Sequence, residues 1–298
     1  MGFFGGVRRR SATSFMPVLT VYNLFFGLSP QEARGLGVGP VAPVLIPPPI
    51  FTGSELAWGW VGDAGPGIDR RSWPRGFATG LPLRHAITLR LPESYRRHGP
   101  ELPGLAYFMG GEGRHSDGPI GADDPFAVDV AASVNHPQLV RKTDNVAYDF
   151  ALIWLTEEEL AAGPTPPPPD TRRPGEHPAP PDSANAWDEP IGRFPWDPHV
   201  TRWVYLAERV GDPNAGVAPS DALTESSYRD PWKNKDLFTS VVMCDDHLGG
   251  TTRAGSGTGL PIGLTPWYLE LATPTWNVDY GNRETHLIDL ESDTFAIC

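Results

Sequence analysis

The chain has 298 residues and a formal net charge of −12, from 36 acidic and 24 basic side chains. A field of this sign repels nucleic acid and favours basic partners, which argues against a nucleic-acid-binding protein. Proline (34) and glycine (33) are both frequent, which favours short strands and turns over long helices. The two cysteines, Cys244 and Cys298, are too few for a disulfide framework.

Residues 1–50 are predicted to be an N-terminal extension. Residues 18–26 fit one strand, and a short helix should begin at Ser29, because Ser29 and Glu32 form a capping-box pair around Pro30. Gly35 should end this helix after one or two turns.

The N-terminal sequence only partly resembles a signal peptide. The apolar run that follows Arg8, Arg9 and Arg10 is interrupted by Pro17 and Asn23, and no small-residue cleavage site follows it. No apolar stretch of the sequence is long enough to span a bilayer. We therefore expect a cytoplasmic protein.

Residues 51–298 are predicted to form one α+β domain, dominated by short antiparallel strands with few short helices. Its clearest strand is an alternating segment that Pro92 ends, because proline cannot donate to a ladder. One face of this half-buried strand should carry Leu83, His85, Ile87 and Leu89, and the other Arg84, Ala86, Thr88 and Arg90. A polar turn then leads into a second strand at 105–108.

The second half of the chain has further strand signals around a proline-rich stretch. A capping box at Thr156 and Glu159 predicts a helix over 157–162, with Gly163 following it. Residues 164–198 are rich in proline and acid, and should be an irregular insertion. The sequence at 201–210 fits either a helix face or a strand. Strands are also predicted at 148–155, 238–243, 267–271 and 286–290.

Several of these segments resemble the YwqG-like family of bacterial proteins. The resemblance rests on Trp73-Pro74 before the first strand and on Leu102-Pro103-Gly104-Leu105-Ala106-Tyr107-Phe108 after it. Two later segments also match, His247-Leu248-Gly249-Gly250 and His286-Leu287-Ile288-Asp289-Leu290-Glu291-Ser292-Asp293. The resemblance favours a strand at 201–210. Relatives continue beyond the last matched strand with a turn and another strand, whereas this sequence stops at Cys298. We expect either that the last strand is supplied elsewhere or that its absence leaves an open sheet edge beside 287–290.

The resemblance also implies a function. YwqG-like proteins often look like immunity proteins encoded beside polymorphic toxins. The expectation is a non-enzymatic protein that binds and neutralises a basic, nuclease-like secreted toxin, and needs neither cofactor nor metal. A second hypothesis is an adaptor that loads an effector onto a secretion machine.

An enzymatic hypothesis rests on Cys244-Asp245-Asp246-His247, where a hydrolase could use Cys244 and His247. The simpler interpretation is a strand end that turns into Gly249-Gly250. Ser256 lacks the Gly-x-Ser-x-Gly context of a nucleophile elbow. His85 should be a hydrogen-bonded core histidine.

The candidate partner-binding residues lie in the acidic end of the chain. Residues 243–298 carry eight acidic and two basic side chains, and residues 143–200 carry eleven and three. Aromatic residues next to acids are typical of a surface for a basic partner. The candidates are Asp289, Glu291, Asp293, Trp267 and Tyr268. If the strand at 286–290 continued, Asp289, Glu291 and Asp293 would share its solvent-facing side. In the alternative interpretation, the aromatic residues belong to the core and the acids form only a solvated surface without a partner.

Overall fold

A computed structural model describes residues 19–36, 56–77, 80–109, 121–122, 127–143, 149–168, 201–219, 228–231, 246–252, 263–271 and 285–297. Its strands are β1 (Tyr22–Gly27), β2 (Gly59–Val61), β3 (Arg84–Arg90), β4 (Gly104–Met109), β5 (Leu139–Thr143), β6 (Asp149–Leu155), β7 (Arg202–Glu208), β8 (His247–Leu248), β9 (Tyr268–Leu271), β10 (His286–Asp289) and β11 (Phe295–Ile297). All of them belong to one antiparallel sheet, in the order β11-β10-β9-β8-β1-β7-β2-β3-β4-β6-β5.

The sheet curls until its two ends meet, and so it is nearly barrel-shaped. Lys142 of β5 donates from Nζ to the carbonyl oxygen of Phe295 in β11, although the two strands are not paired. Beside this seam, Tyr107 Oη lies 3.0 Å from His286 Nδ1, and the rings of Tyr107 and Phe295 are 5.9 Å apart. Leucine, isoleucine and aromatic side chains from strands along the whole sheet fill the interior as one apolar core.

The helices are few, short and peripheral: α1 (Pro30–Leu36), α2 (Ala127–Ala131) and α3 (Glu157–Ala161). Both predicted capping boxes are present, because Ser29 and Glu32 bond each other's backbone N–H, as do Thr156 and Glu159. The prediction of short antiparallel strands with few short helices is confirmed. The α+β assignment is not supported, since the described part is mostly β.

The strands β3, β4 and β6 are buried on both faces, so the prediction of a half-buried strand at 83–90 is wrong. Outside the barrel, a second apolar cluster covers them with Ile68, Trp73 and Leu160. The predicted alternation also breaks, because the register shifts between His85 and Ile87. Ile87 therefore faces the interior while His85 packs against Phe108 of the outer cluster.

His85 is the hydrogen-bonded core histidine that the sequence predicts. Its Nδ1 lies 2.7 Å from the carbonyl oxygen of Gly62, and its Nε2 lies 2.8 Å from Thr88 Oγ1. Burial lowers the pKa of His85 to about 4, so the ring is neutral at physiological pH.

Most of the predicted strands of the second half are confirmed. The strand over 148–155 is β6, with every residue buried, and the ambiguous segment 201–210 contains β7. The strands at 267–271 and 286–290 are β9 and β10. The prediction at 238–243 and most of the insertion at 164–198 lie outside the described residues.

Two further predictions concerned the N-terminal segment and the sheet edge near the C-terminal end. In the segment predicted to be an extension, β1 lies within the sheet between β7 and β8. The expected open edge beside 287–290 is wrong, because β11 pairs with β10 from Ile288↔Phe295 to His286↔Ile297. Among the described residues, no helix is long and apolar enough to cross a bilayer.

Candidate functional site

His247, the histidine of the hydrolase hypothesis, is buried on β8, opposite Glu270 of β9. Its Nδ1 lies 2.9 Å from the carbonyl oxygen of Gly249, and its Nε2 lies 2.9 Å from Glu270 Oε2. A carbonyl oxygen only accepts, so Nδ1–H donates to it. His247 and Glu270 are therefore neighbouring side chains, both almost fully buried.

Beside this pair, the carboxylate of Asp212 organises a buried polar cluster. Its Oδ1 accepts from the Asn214 N–H and from Thr251 Oγ1, both at 2.8 Å. Its Oδ2 accepts from the Thr251 N–H at 3.0 Å and from Arg209 Nη1 at 3.3 Å. Arg209 Nε in turn donates to Asn23 Oδ1 of β1 at 2.6 Å. The cluster therefore joins loops far apart in sequence to the outer face of the barrel.

The turn at Gly249 and Gly250 fits this cluster closely. Both residues have positive φ, +65° and +82°, which glycine adopts without strain. A Cβ on Gly250 would stand 2.6 Å from Asp212 Oδ2, and one on Gly249 would stand 2.5 Å from Tyr95 Oη. The predicted strand end that turns into Gly249-Gly250 is confirmed.

The geometry around His247, Glu270 and Asp212 fits a structural role better than a catalytic one. His247 and Glu270 are at most 1% exposed, so the described fold offers no route for a substrate to the imidazole. Cys244 and Ser256 lie outside the described residues. Within the described part of the chain, no three His, Cys, Asp or Glu side chains are grouped to hold a metal ion.

Asp289, the first candidate acid for partner binding, is fully buried. Its Oδ1 accepts from the N–H groups of Glu291 at 3.0 Å and Ser292 at 2.8 Å, and its Oδ2 accepts from the N–H of Thr265. The strand ends at Asp289, and Asp293 has a φ of +56° in the turn that follows. The prediction of a solvent-facing ladder of three acids is therefore wrong.

Glu291 and Trp267 lie on either side of the same residue, Arg97, which is distant from both in sequence. Glu291 Oε1 accepts from Arg97 Nη2 at 2.5 Å and from Nε at 3.2 Å. The Arg97 guanidinium carbon lies 3.9 Å from the centroid of the Trp267 ring. Tyr268, by contrast, is fully buried and donates from Oη to the carbonyl oxygen of Gly250 at 2.7 Å.

Asp293 sits beside a second aromatic contact. Its Oδ1 accepts from Trp154 Nε1 at 2.9 Å and lies 3.3 Å from His98 Nε2. The centroids of the His98 and Trp154 rings are 4.0 Å apart, and the two ring planes are tilted by 30°. We call the accessible part of this region the C-terminal face; its members are Arg97, His98, Trp267, Glu291 and Asp293.

Sequence reasoning missed Arg97, which bonds to Glu291, and His98, which lies beside Asp293. Arg97 and Glu291 are separated by 194 residues, so no local spacing connects them. The role of Asp289 did have a local signal. An aspartate that accepts the N–H groups two and three residues later is a typical Asx turn, for which Asp-Leu-Glu-Ser is suitable.

Comparison of this chain with protein-family models, with curated proteins and with solved structures gives no match.

Proposed function

We propose that the protein is a non-enzymatic cytoplasmic binding protein that neutralises a basic secreted toxin, as the resemblance to YwqG-like immunity proteins implies. The observation that carries the proposal is the charge, with 36 acidic against 24 basic side chains. A nuclease toxin is basic because it must hold phosphates, so an acidic protein attracts it before contact and then competes with its substrate.

The C-terminal face is the proposed contact surface, with Trp267, Glu291 and Asp293 as the partner-binding residues. Glu291 is partly exposed and pairs with Arg97, and an arginine or lysine of the toxin can take the place of Arg97 in that pair. Trp267 offers an adjacent aromatic surface, and aromatic side chains are frequent at the centre of interfaces. Asp289 and Tyr268 support this face from within.

A co-expression experiment tests the proposal. Each neighbouring gene is expressed in turn, and cells that produce a toxic neighbouring gene product should survive when they also produce this protein. Glu291→Lys together with Asp293→Lys should reduce survival, because both changes reverse charge at the proposed contact. The matched control is Glu158→Lys, an exposed acid on α3, which should leave protection intact. Failure of the wild-type protein to protect against any neighbouring gene product would refute the proposal.

One observation favours the alternative of a hydrolase that uses Cys244 and His247. The contact between His247 Nε2 and Glu270 Oε2 places a carboxyl group beside an imidazole, as in sites where a carboxylate orients a catalytic histidine. The other ring nitrogen of His247 already donates to the carbonyl oxygen of Gly249, so neither nitrogen is left to face a nucleophile. The burial of both groups argues against it. If the Cys244→Ala, His247→Ala double variant folds and still protects cells, the hydrolase hypothesis fails.

A further inference from the structure

The Trp267 ring and the Glu291 carboxylate form a slot on the C-terminal face, and the side chain of Arg97 fills it. The Arg97 guanidinium carbon lies 3.9 Å from the centroid of the Trp267 ring, so a positive charge stands over the face of the indole. Its Nε and Nη2 donate to Glu291 Oε1 at 3.2 and 2.5 Å. An indole face beside a carboxylate suits a planar cation with forked N–H groups. We call this pair the Trp267–Glu291 slot.

Trp267 and Glu291 are held in place by residues other than the arginine between them. The buried carboxylate of Asp289 accepts from the Glu291 N–H through Oδ1 at 3.0 Å, and from the Thr265 N–H through Oδ2. Thr265 Oγ1 accepts from the Trp267 N–H at 3.3 Å, and the carbonyl oxygen of Trp267 accepts from the Leu290 N–H at 2.8 Å. One carboxylate therefore connects both segments that make the slot. The slot is preorganised, so a cation that enters it does not have to order it.

Arg97 reaches the slot from a different part of the chain and is exposed enough to leave it. It follows the short helical turn Glu93–Tyr95, and its N–H donates to the carbonyl oxygen of Tyr95 at 3.0 Å. The side chains of Arg97 and Glu291 are 35% and 38% exposed. Because an ion pair this exposed is weak, release of Arg97 should cost only about fivefold in an equilibrium constant. Arg97 can therefore give way to another cation while the fold stays intact.

The neighbouring residue His98 fills a closed position instead. The centroid of its ring is 4.0 Å from that of Trp154, and its Nε2 lies 3.3 Å from Asp293 Oδ1. Trp154 is only 2% exposed and donates from Nε1 to the same oxygen of Asp293 at 2.9 Å. Trp267, in contrast, is partly exposed. Among the described residues of the C-terminal face, the Trp267–Glu291 slot is therefore the part that a partner's side chain can enter.

From this geometry we infer that the Trp267–Glu291 slot is a guanidinium-binding site, which Arg97 fills in the free protein and an arginine of the basic partner fills in the complex. The inference rests on the proposed function for its partner, and adds the residue type by which that partner is recognised. It also makes Arg97 an internal competitor, because the partner's arginine has to displace it.

The chemistry of the slot selects arginine over other occupants. A guanidinium is planar, so it lies flat on the indole while its N–H groups bond to the carboxylate. The ammonium of lysine is a compact and strongly hydrated charge, which does not combine these two contacts. An acidic side chain would be repelled by Glu291 and Asp293. A second copy of this chain would bring another net charge of −12 to the contact, which opposes association.

Titration of the Arg97→Ala variant with argininamide tests the slot without any partner protein. Argininamide carries the guanidinium and has no carboxylate, and lysinamide is the comparison. Binding is followed at the indole N–H signals in proton–nitrogen correlation NMR spectra, in which Trp267→Phe assigns the Trp267 signal. Argininamide should shift this signal to saturation, and lysinamide should bind at least about threefold more weakly. Wild-type protein should need about fivefold more argininamide, because Arg97 occupies the slot.

The matched control is Arg71→Ala. Arg71 donates from Nε and Nη2 to Asp69 Oδ2 at 3.2 and 2.7 Å, through the same two donor atoms that Arg97 uses. This variant removes the same charge but leaves the slot filled, so argininamide should shift the Trp267 signal no more readily than in the wild type. Adding Glu291→Gln to Arg97→Ala should weaken argininamide binding severalfold, because the carboxylate of the slot is lost.

Affinity for the partner tests whether an arginine enters the slot in the complex. The partner is the neighbouring gene product against which the protein protects cells, and its dissociation constant is measured for both variants at the same salt concentration. Arg97→Ala should bind about fivefold more tightly than Arg71→Ala, because the partner no longer has to displace an internal arginine. Both variants lose one positive charge, so the difference between them reports the slot and not the net charge.

The outcomes separate this inference from the proposed function. The inference is overturned if argininamide does not shift the Trp267 signal of Arg97→Ala, if lysinamide binds equally well, or if the wild type binds argininamide as tightly as the variant. It is also overturned if Arg97→Ala and Arg71→Ala bind the partner with equal affinity, even where protection of cells is retained. If argininamide binds as expected but no neighbouring gene product binds the protein, the slot is supported and the proposed function fails.

Discussion

Replacement of Asp289 by alanine should destabilise the fold strongly, although the sequence placed this residue among exposed acids. The carboxylate is fully buried and accepts three backbone N–H groups, from Thr265, Glu291 and Ser292. Alanine leaves these donors without an acceptor, and each hydrogen bond to a charged group contributes about 1.5–3 kcal/mol. Glu291 and Ser292 are exposed, so water replaces part of what they lose. We expect a total loss of about 2–4 kcal/mol in the free energy of unfolding.

The neighbouring acid Glu291 provides the matched control. Glu291→Gln removes only a partly exposed ion pair with Arg97, for which a loss of about 1 kcal/mol or less is expected. The loss of stability for Asp289→Asn should lie between those of Asp289→Ala and Glu291→Gln. The amide keeps one acceptor oxygen but turns an NH₂ group toward one of the backbone donors. Urea unfolding at pH 7 measures all three values. If Asp289→Ala lost no more stability than Glu291→Gln, the buried clamp described for Asp289 would be wrong.

Further predictions concern the core histidine, the glycine turn and the buried histidine pair. His85 should take up a proton near pH 6.5 in the unfolded chain but only near pH 4 in the folded protein, so stability should fall as the pH drops through this window. Because the unfolded imidazole is only half protonated at pH 6.5, the wild-type protein should lose about 1.6 kcal/mol more than His85→Phe between pH 6.5 and pH 5, measured by urea unfolding; an equal loss would contradict the burial of a neutral ring. Gly250→Ala should lower the free energy of unfolding by about 2–4 kcal/mol, because Gly250 has a positive φ and an added Cβ would clash with Asp212. Gly211 also has a positive φ but open space around it, so Gly211→Ala should cost only about 1 kcal/mol. Thermal unfolding compares the two glycine variants, and equal losses would contradict the packing described at Gly250. His247→Ala should likewise lower stability, because it leaves the buried carboxylate of Glu270 without its 2.9 Å contact, and a thermal midpoint equal to that of the wild type would contradict that role.

The elements that the sequence predicted well are those whose signals are local. The capping box at Thr156 and Glu159 needs only four consecutive residues, and the apolar run of β6 needs only seven. The bulge between His85 and Ile87 was missed because it depends on how β3 pairs with β4, which the alternation of β3 alone does not encode.

The candidate sites were harder to predict because their contacts are distant in sequence. Asp212 bonds to Thr251 across 39 residues, and Trp154 bonds to Asp293 across 139. The sequence pattern suggested that the strand at 286–290 continues through Asp293. The strand instead ends at Asp289, and Glu291 and Asp293 lie in the turn that follows it. The seam between β5 and β11 likewise follows from closure of the whole sheet, and no segment of the sequence shows it by itself.

The proposal of an acidic protein that neutralises a basic toxin is tested most directly by an association rate. The purified protein is mixed with the neighbouring gene product against which it protects cells, and the association rate constant is measured between about 0.01 M and 0.15 M salt, over which the screening length falls from roughly 30 Å to about 8 Å. The account predicts an association rate that falls clearly with salt, and a slower rate at low salt for Glu291→Gln with Asp293→Asn. Absence of binding, or a rate that depends neither on salt nor on these two residues, would contradict it.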